Sequence, residues 1–467
     1  MNNINDIRTS FKLPISFCSK ITKLDSNIIS DLELIPESNP EEKEDLEKSK
    51  SLYQSIFNPK TKLGETLLDS WTESFSYDKK FLQSSQKIYS STNVVPMEDV
   101  DDIHKTWLTL KNDTGFIQKY QYIDWEFFHS LNSNSQFLQV MSIYSLTSPI
   151  VSLILPLLLC IVPFFLLKFQ NVKISLNTYF EILKKLFIKH IPIGKLAVFN
   201  EMAMSDKVYT VISIMFYFFQ IYQNILSCWK FYKNQYHIEI VLNKFKLFIE
   251  HTINQSNEFL KVSEKHVPFF LFNEHLKSKL TRLMKLKDYL QKILKFKIGI
   301  KEISNIGYTM KHFYEFYKNK EVKDTMNYAF GLNAYFDQIN GIQFLLNTKK
   351  INKCLYSKNK CFFKNAYYPL IEYESAIKNT YSLKSNILIT GPNAAGKTTL
   401  LKATLFNILL SQQIGFGFFK SAKIVPYKYL HCYLNIPDTS GRDSLFQAEA
   451  RRCKDILDKI NDSKKLE

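Results

Sequence analysis

One stretch restricts what this chain can fold into more than any other: Gly391–Thr398, which reads GPNAAGKT. It follows a short apolar run, Asn386–Thr390 (NILIT), that reads as a buried strand. It precedes Thr399–Leu410 (TLLKATLFNILL), which reads as a helix. A glycine-bounded loop between a strand and a helix belongs to an α/β layer. Gly391 and Gly396 let the backbone bend so that successive N–H groups face inward, and the helix start adds the positive end of its dipole. Lys397 supplies a point charge for β- and γ-phosphates, and the Thr398 hydroxyl suits Mg²⁺. The candidate binding set is Gly391, Pro392, Asn393, Ala394, Ala395, Gly396, Lys397, Thr398 and Thr399, with ATP and Mg²⁺ as ligands and Thr398 on the metal.

Composition fits one such layer inside a mainly helical chain. Glycine is scarce, 12 in 467 residues, while Phe (38) and Tyr (26) are abundant. The expected class is α + α/β, with helical N-terminal and middle regions followed by an incomplete phosphate-loop nucleotide-binding domain. The formal net charge is +17, unevenly spread. Glu33–Glu47 is acidic and reads as a solvated linker, whereas Lys168–Lys364 is rich in lysine. That excess suits a polyanion, either nucleic acid or an anionic membrane face, and equally suits lysines coating helices. The seven cysteines form no CxxC pair, and Cys354 and Cys361 have no histidine at ligand spacing. This argues against zinc and for a reducing, intracellular compartment. The first residues hold no apolar run long enough for a signal peptide.

Two uncharged runs stand apart. Pro149–Leu167 (PIVSLILPLLLCIVPFFLL) has the length to cross a bilayer, and its three prolines are better tolerated there than in a soluble helix. Val208–Trp229 is a second, more polar run, rich in aromatic residues of the kind found at membrane interfaces. Together they suggest a membrane hairpin; a pair of buried core helices is the alternative. The connector Lys168–Lys207 has seven lysines against three acids, which the positive-inside rule would keep in the cytoplasm beside the ATP-binding half. Within it, Ile174–Ile191 reads as an amphipathic interfacial helix.

The expected organisation is a poorly ordered acidic segment over 1–50 and a helical domain over 51–147. The two apolar segments, 149–167 and 208–229, with their basic connector occupy 148–230. A basic helical region covers 231–350, and the nucleotide domain 351–467. In the second part Leu67, Leu68, Trp71, Phe75, Phe81 and Leu82 recur at helical spacing and read as a core face. After Asn352, the runs CFFKN, YYPLIEY and NILIT read as strands.

The loop with its neighbours, TGPNAAGKTT, resembles the ATPase domain of the MutS family. Upstream, Asn365–Leu370 (NAYYPL) is similar to the family's NARHPLL strand, with Tyr368 in place of the usual histidine. Asn379 stands where the family has an asparagine before the loop, and Tyr335–Asp337 (YFD) resembles the helix leading into the domain. Downstream, Leu410–Gly415 (LSQQIG) is similar to LAQIG, and Gly441–Glu449 (GRDSLFQAE) to the GxSTFxxE signature. The resemblance implies ATP-driven dimer closure, acting on double-stranded DNA in mismatch repair or recombination. It implies that Gln413 senses Mg²⁺ and the γ-phosphate side, and that Ser444 reaches across a homo- or heterodimer to the partner's ATP. By itself Ser444 reads as a helix cap. No mismatch-reading domain or Phe-x-Glu wedge is found, and Ala376 stands where many relatives place an aromatic against adenine.

Hydrolysis of this type also needs an apolar strand ending in Asp-Glu. The chain ends at Glu467, eighteen residues past Glu449, and Asp455, Asp458 and Asp462 lie in a charged helical stretch. The expectation is a fragment whose motif lies just beyond; a chain that binds ATP without hydrolysing it is the alternative. Three rival functions follow. One is a DNA-binding module using Lys244–Lys301. Another is a membrane-anchored MutS-related ATP-binding protein without mismatch recognition. An ABC-type ATPase is the weakest, since the LSGGQ-like signature is missing.

Overall fold

The computed structural model describes residues 2–36, 51–169, 175–190, 194–295, 299–434 and 445–465. The chain is mostly helical with a small mixed sheet, compatible with the α + α/β class. It divides into two units. One comprises Met1–Leu108, Leu247–Lys287 and Lys320–Glu467, the other Thr109–Lys246 and Asp288–Asn319.

The first unit is organised around the helix Lys320–Asn347. Tyr328, Phe330, Leu332, Tyr335, Phe336, Ile339 and Ile342 are all buried, so the middle of the helix is enclosed on every side, with a few polar groups among its apolar ones. Gly341 allows the closest approach: a Cβ there would stand 1.7 Å from the Phe57 carbonyl oxygen. Polar groups on the helix fix the neighbouring turns. The buried Asp337 carboxylate accepts from the Lys60 amide (3.2 Å), the Thr61 amide (3.0 Å) and the Thr61 hydroxyl (2.8 Å). Gln338 accepts from the Trp71 indole at 2.8 Å and donates to the Gly64 carbonyl at 2.8 Å. The boundary expected near 350 therefore falls inside one unit.

Residues 2–36 are folded, contrary to the expectation of poor order over 1–50. The helix Asn2–Ser10 and the residues after it bury Ile7, Phe11, Leu13 and Ile15. The Phe11 ring meets Tyr328 at 5.5 Å and Tyr335 at 5.9 Å. The short apolar cluster is held at Phe11 by partners more than 300 positions away. Most of the acidic stretch 33–47 lies outside the described residues. The expected core face holds: Leu67, Leu68, Trp71, Phe75, Phe81 and Leu82 are all buried. Its elements are more varied than one helical pattern. Trp71 lies in a 3₁₀ turn, and Phe75 in strand β2 (Ser74–Ser76), antiparallel to β1 (Ile21–Lys23).

The second sheet contains β3 (Asn352–Tyr356), β4 (Cys361–Ala366), β5 (Asn379–Leu383), β6 (Phe416–Gly417) and β7 (Ser421–Ile424). Its order is β5-β4-β7-β3-β6; β3 and β7 run parallel, and the other pairings are antiparallel. Alternation sets the inner face: Cys354 and Tyr356, then Cys361 and Phe363, are buried, while Leu355 and Phe362 are exposed. Burial pushes the Cys354 thiol up to about 12, so it serves the core as an apolar group. CFFKN is strand as expected; YYPLIEY is not, and forms turns around Pro369.

The second unit carries the apolar helices. Ser135–Phe169 is one helix of 35 residues, and residues 204–246 come from the helix Met204–Ser263. Both are long and apolar enough to cross a membrane, and little of either apolar window is buried within the protein. The two run antiparallel: the Cys228 thiol lies 3.4 Å from the Leu146 carbonyl and the Tyr217 hydroxyl 3.5 Å from that of Ser152. Proline lacks an N–H, so Pro149 frees the Ser145 carbonyl and Pro156 frees that of Ser152. Ser148 donates its hydroxyl to the first at 3.2 Å, and Tyr217 reaches the second from the other helix. The connector helix Leu176–His190 spans most of the interval expected to be amphipathic.

Candidate functional site

The loop expected to cradle phosphates begins after β5 and ends in the helix Lys397–Gln413. Two residues give it its curl. Ala394 has φ 62° and Gly396 φ 80°, both left-handed. For Ala394 this conformation carries backbone strain, a feature that clusters at functional sites. Gly396 caps the helix without a side-chain bond, and the first helical bond runs from the Leu400 amide to the Gly396 carbonyl at 2.9 Å. The amides of Gly396, Lys397, Thr398 and Thr399 therefore have no acceptor within the helix, which makes them donors for an anion.

Lys397 folds back over the loop, donating to the Gly391 and Pro392 carbonyls at 2.7 Å each. Its ammonium thus lies against the backbone at the start of the loop. Thr398 and Thr399 are exposed in the first turn. Pro392, Asn393 and Ala395 are exposed in the loop itself, with the Ala395 amide 3.4 Å from the Pro392 carbonyl. The two glycines are not equivalent. A Cβ on Gly391 would meet only ordinary contacts, 3.8 Å or more away, and its φ is not left-handed. Gly396 has open space around it but a φ of 80°. Gly396→Ala is expected to lose about 1–2 kcal/mol of stability from backbone strain, and Gly391→Ala less than about 0.5. Urea unfolding of both variants checks this; equal losses would contradict it.

The run before the loop departs from expectation. Asn386–Thr390 belongs to no strand, and Leu388 is 88% exposed. An apolar run becomes a buried strand only where others supply ladder partners and cover its faces. β5 forms the sheet edge, and among the described residues no strand pairs with 386–390. What fixes the loop is its helix. Phe406, Leu409 and Leu410 are buried, and Asn407 donates to the Tyr367 carbonyl and accepts from the Phe418 amide at 2.6 Å. The Tyr381 hydroxyl on β5 meets that of Thr404 at 2.7 Å, and burial pushes this phenol up to about 12.

Gln413, expected to sense the γ-phosphate side, lies at the far end of the helix from the loop. It ends the helix that Lys397 begins, sixteen residues on, about 24 Å along the axis. It is 1% exposed, accepts from the Tyr53 hydroxyl at 2.9 Å and donates to the Trp71 carbonyl at 2.6 Å. Gln412 likewise donates to the Ser76 and Tyr427 carbonyls. The LSQQIG pattern is therefore an interior seam between this helix and residues 53–76. Ser444 lies outside the described residues; Phe446 and Glu449, from the same motif, open the helix Leu445–Lys465. Ala376 is buried, while neighbouring Ile377 is exposed. Asn379 starts β5, and its amide side chain lies 3.5 Å from the Ile377 carbonyl.

Two contacts near the site carry no signal in sequence periodicity. Lys402, in the second turn of the phosphate-loop helix, pairs with Glu33 at 3.2 Å. Asp31, almost fully buried, pairs with Arg452 at 2.9 Å. Comparison with family models found no match for the chain, and comparison with curated proteins found none either.

Proposed function

We propose that this chain binds a nucleoside triphosphate with Mg²⁺ at residues 391–399 and is a membrane-held relative of the MutS ATPases. The observation that carries the nucleotide reading is the left-handed bend at Ala394 and Gly396, which feeds a helix start whose Lys397 folds back over the loop. The helix-start amides would hold phosphate oxygens, Lys397 would neutralise their charge, and Thr398 would take a place in the Mg²⁺ shell. Retention on immobilised ATP, with elution by MgATP and not by adenosine, is the expected result. Failure to be retained counts against it.

The membrane reading is favoured over a DNA-acting dimer by a specific observation. Ile150, Val151, Leu153 and Ile154 on one helix and Val208, Met215, Phe216 and Phe219 on the other are exposed. Apolar surface this extensive requires cover. Pro149–Leu167 is about 28 Å long as a helix, close to the hydrocarbon thickness of a bilayer. At one end Trp229 stacks on Tyr232 at 6.0 Å with the Lys233 ammonium over the indole, an arrangement suited to headgroups. DNA binding and a dimer joined through Ser444 rest on the family resemblance and the +17 charge. Several cations of the expected DNA face are engaged within the chain: Lys277 with Glu264 and Glu274, and Arg282 with Glu321. The chain is expected to remain with membranes through an alkaline carbonate wash and to be released by detergent. Release by the wash alone contradicts insertion.

A further inference from the structure

A short segment near the N-terminus touches both the phosphate-loop helix and the C-terminal helix. Its body is anchored by Ile28, Leu32 and Leu34, each fully buried. On one side, Glu33 extends its carboxylate to Lys402, five residues past Lys397. On the other, Asp31 accepts from the Leu434 amide at 3.2 Å and from the Arg452 guanidinium at 2.9 Å. Asp25 pairs with Lys459, two turns further along the same helix. Burial alone would raise the Asp25 carboxyl, but the hydrogen bonds from Lys459 and the Asn27 amide and the charges of Lys459 and Arg452 outweigh it and leave the group below its usual value. The Thr22 hydroxyl donates to the Lys428 carbonyl at 2.7 Å, fixing the strand that leads into the segment.

These contacts are ionic and directional, and they bracket the stretch between Leu434 and Arg452. Glu33 adds a second, independent sign. It has φ 52°, a left-handed conformation that glycine adopts without strain, yet the chain places there the residue whose carboxylate meets Lys402. We propose that residues 25–33 form a brace that couples occupancy of the phosphate loop to the placement of the helix Leu445–Lys465. In it Asp31 and Arg452 act as the positioning pair, and Glu33 as the link to the phosphate-loop helix. The coupling rests on the nucleotide reading above. Phosphate held at the start of the Lys397–Gln413 helix would fix Lys402, and through Glu33 and Asp31 would seat the C-terminal helix that carries Phe446 and Glu449.

Amide hydrogen exchange of the full chain in detergent, with and without MgATP, tests this. In the wild type, MgATP is expected to slow exchange over residues 445–460 by fivefold or more. Asp31→Asn is expected to bind MgATP within threefold of wild type and to lose that slowing. Glu33→Gly separates coupling from simple stability: it removes the carboxylate and relieves the backbone, so its melting temperature should hold or rise while the response at 445–460 disappears. It also decides the matter if Asp31→Asn fails to fold. Nucleotide binding with no change at 445–460 in the wild type, or a full response in Glu33→Gly, overturns the brace. A wild-type chain that binds no nucleotide overturns the nucleotide reading and the coupling together.

Discussion

Replacing Lys397 with alanine is expected to weaken triphosphate binding by roughly 30- to 700-fold, about 2–4 kcal/mol, without unfolding the chain. The ammonium bonds back across the loop, to the carbonyls of Gly391 and Pro392. With phosphate bound it would exchange those carbonyls for oxygens bearing full charge, a stronger hydrogen bond than the neutral ones it leaves. The backbone amides remain in the variant, so residual binding is expected. The side chain lies at the surface end of its helix and contributes little to the core, so the urea midpoint should move little. Lys397→Arg tests shape separately from charge, because the guanidinium keeps the charge but presents its donors in a larger, planar fork. Unchanged affinity in Lys397→Ala, measured by titration with a fluorescent ATP analogue, would remove the loop from the site.

The opposite pattern is expected for Gln413→Leu: a stability loss of about 2–4 kcal/mol with triphosphate affinity held within twofold. Leucine fills much of the same volume but strands the buried Tyr53 hydroxyl and the carbonyls of Trp71 and Ser74. A buried polar group without a partner costs about 1–3 kcal/mol, and some of these groups will find others. Urea unfolding and the same titration read both quantities. Normal stability with a tenfold affinity loss would restore the sensor role that the family pattern implies for this residue.

The two glutamines show how far local pattern reaches. In the sequence Gln412 and Gln413 are polar interruptions in an apolar helix, which equally mark a ligand contact and an interior seam. Only the helix length, which carries them away from Lys397, and the packing of residues 53–76 against that end decide for the seam. The turn into the helix was legible because its glycine is a backbone requirement. Gly396 must be left-handed, and the helix that follows is plain in Thr399–Leu410, extended by the structure to Lys397–Gln413. The left-handed Ala394 was not, since nothing in an alanine announces such a conformation.

Elsewhere the limits are those of distance. Residues 2–36 read as poorly ordered because the alternation of Phe11, Leu13 and Ile15 is short and interrupted by Pro14, which opens a 3₁₀ turn; Phe11 is ordered by docking onto Tyr328 and Tyr335. NILIT read as a strand from its own composition, but strand formation depends on neighbours, and none of the described residues supplies them. The two apolar runs were legible as helices, yet their ends were not. The helices extend to Ser135–Phe169 and Met204–Ser263, through polar residues that carry no stop signal. The signature at 441–444, including Ser444, lies outside the described residues, so the dimer contact it implies is tested by function alone.

The amides at the start of the Lys397–Gln413 helix are proposed to hold phosphate. Amide hydrogen exchange across residues 391–400, with and without MgATP, measures those donors directly. Slowed exchange at Gly396, Lys397, Thr398 and Thr399, lost in Lys397→Ala at the same nucleotide concentration, is the expected result. Unchanged exchange at these four amides with saturating MgATP would contradict phosphate binding at this loop.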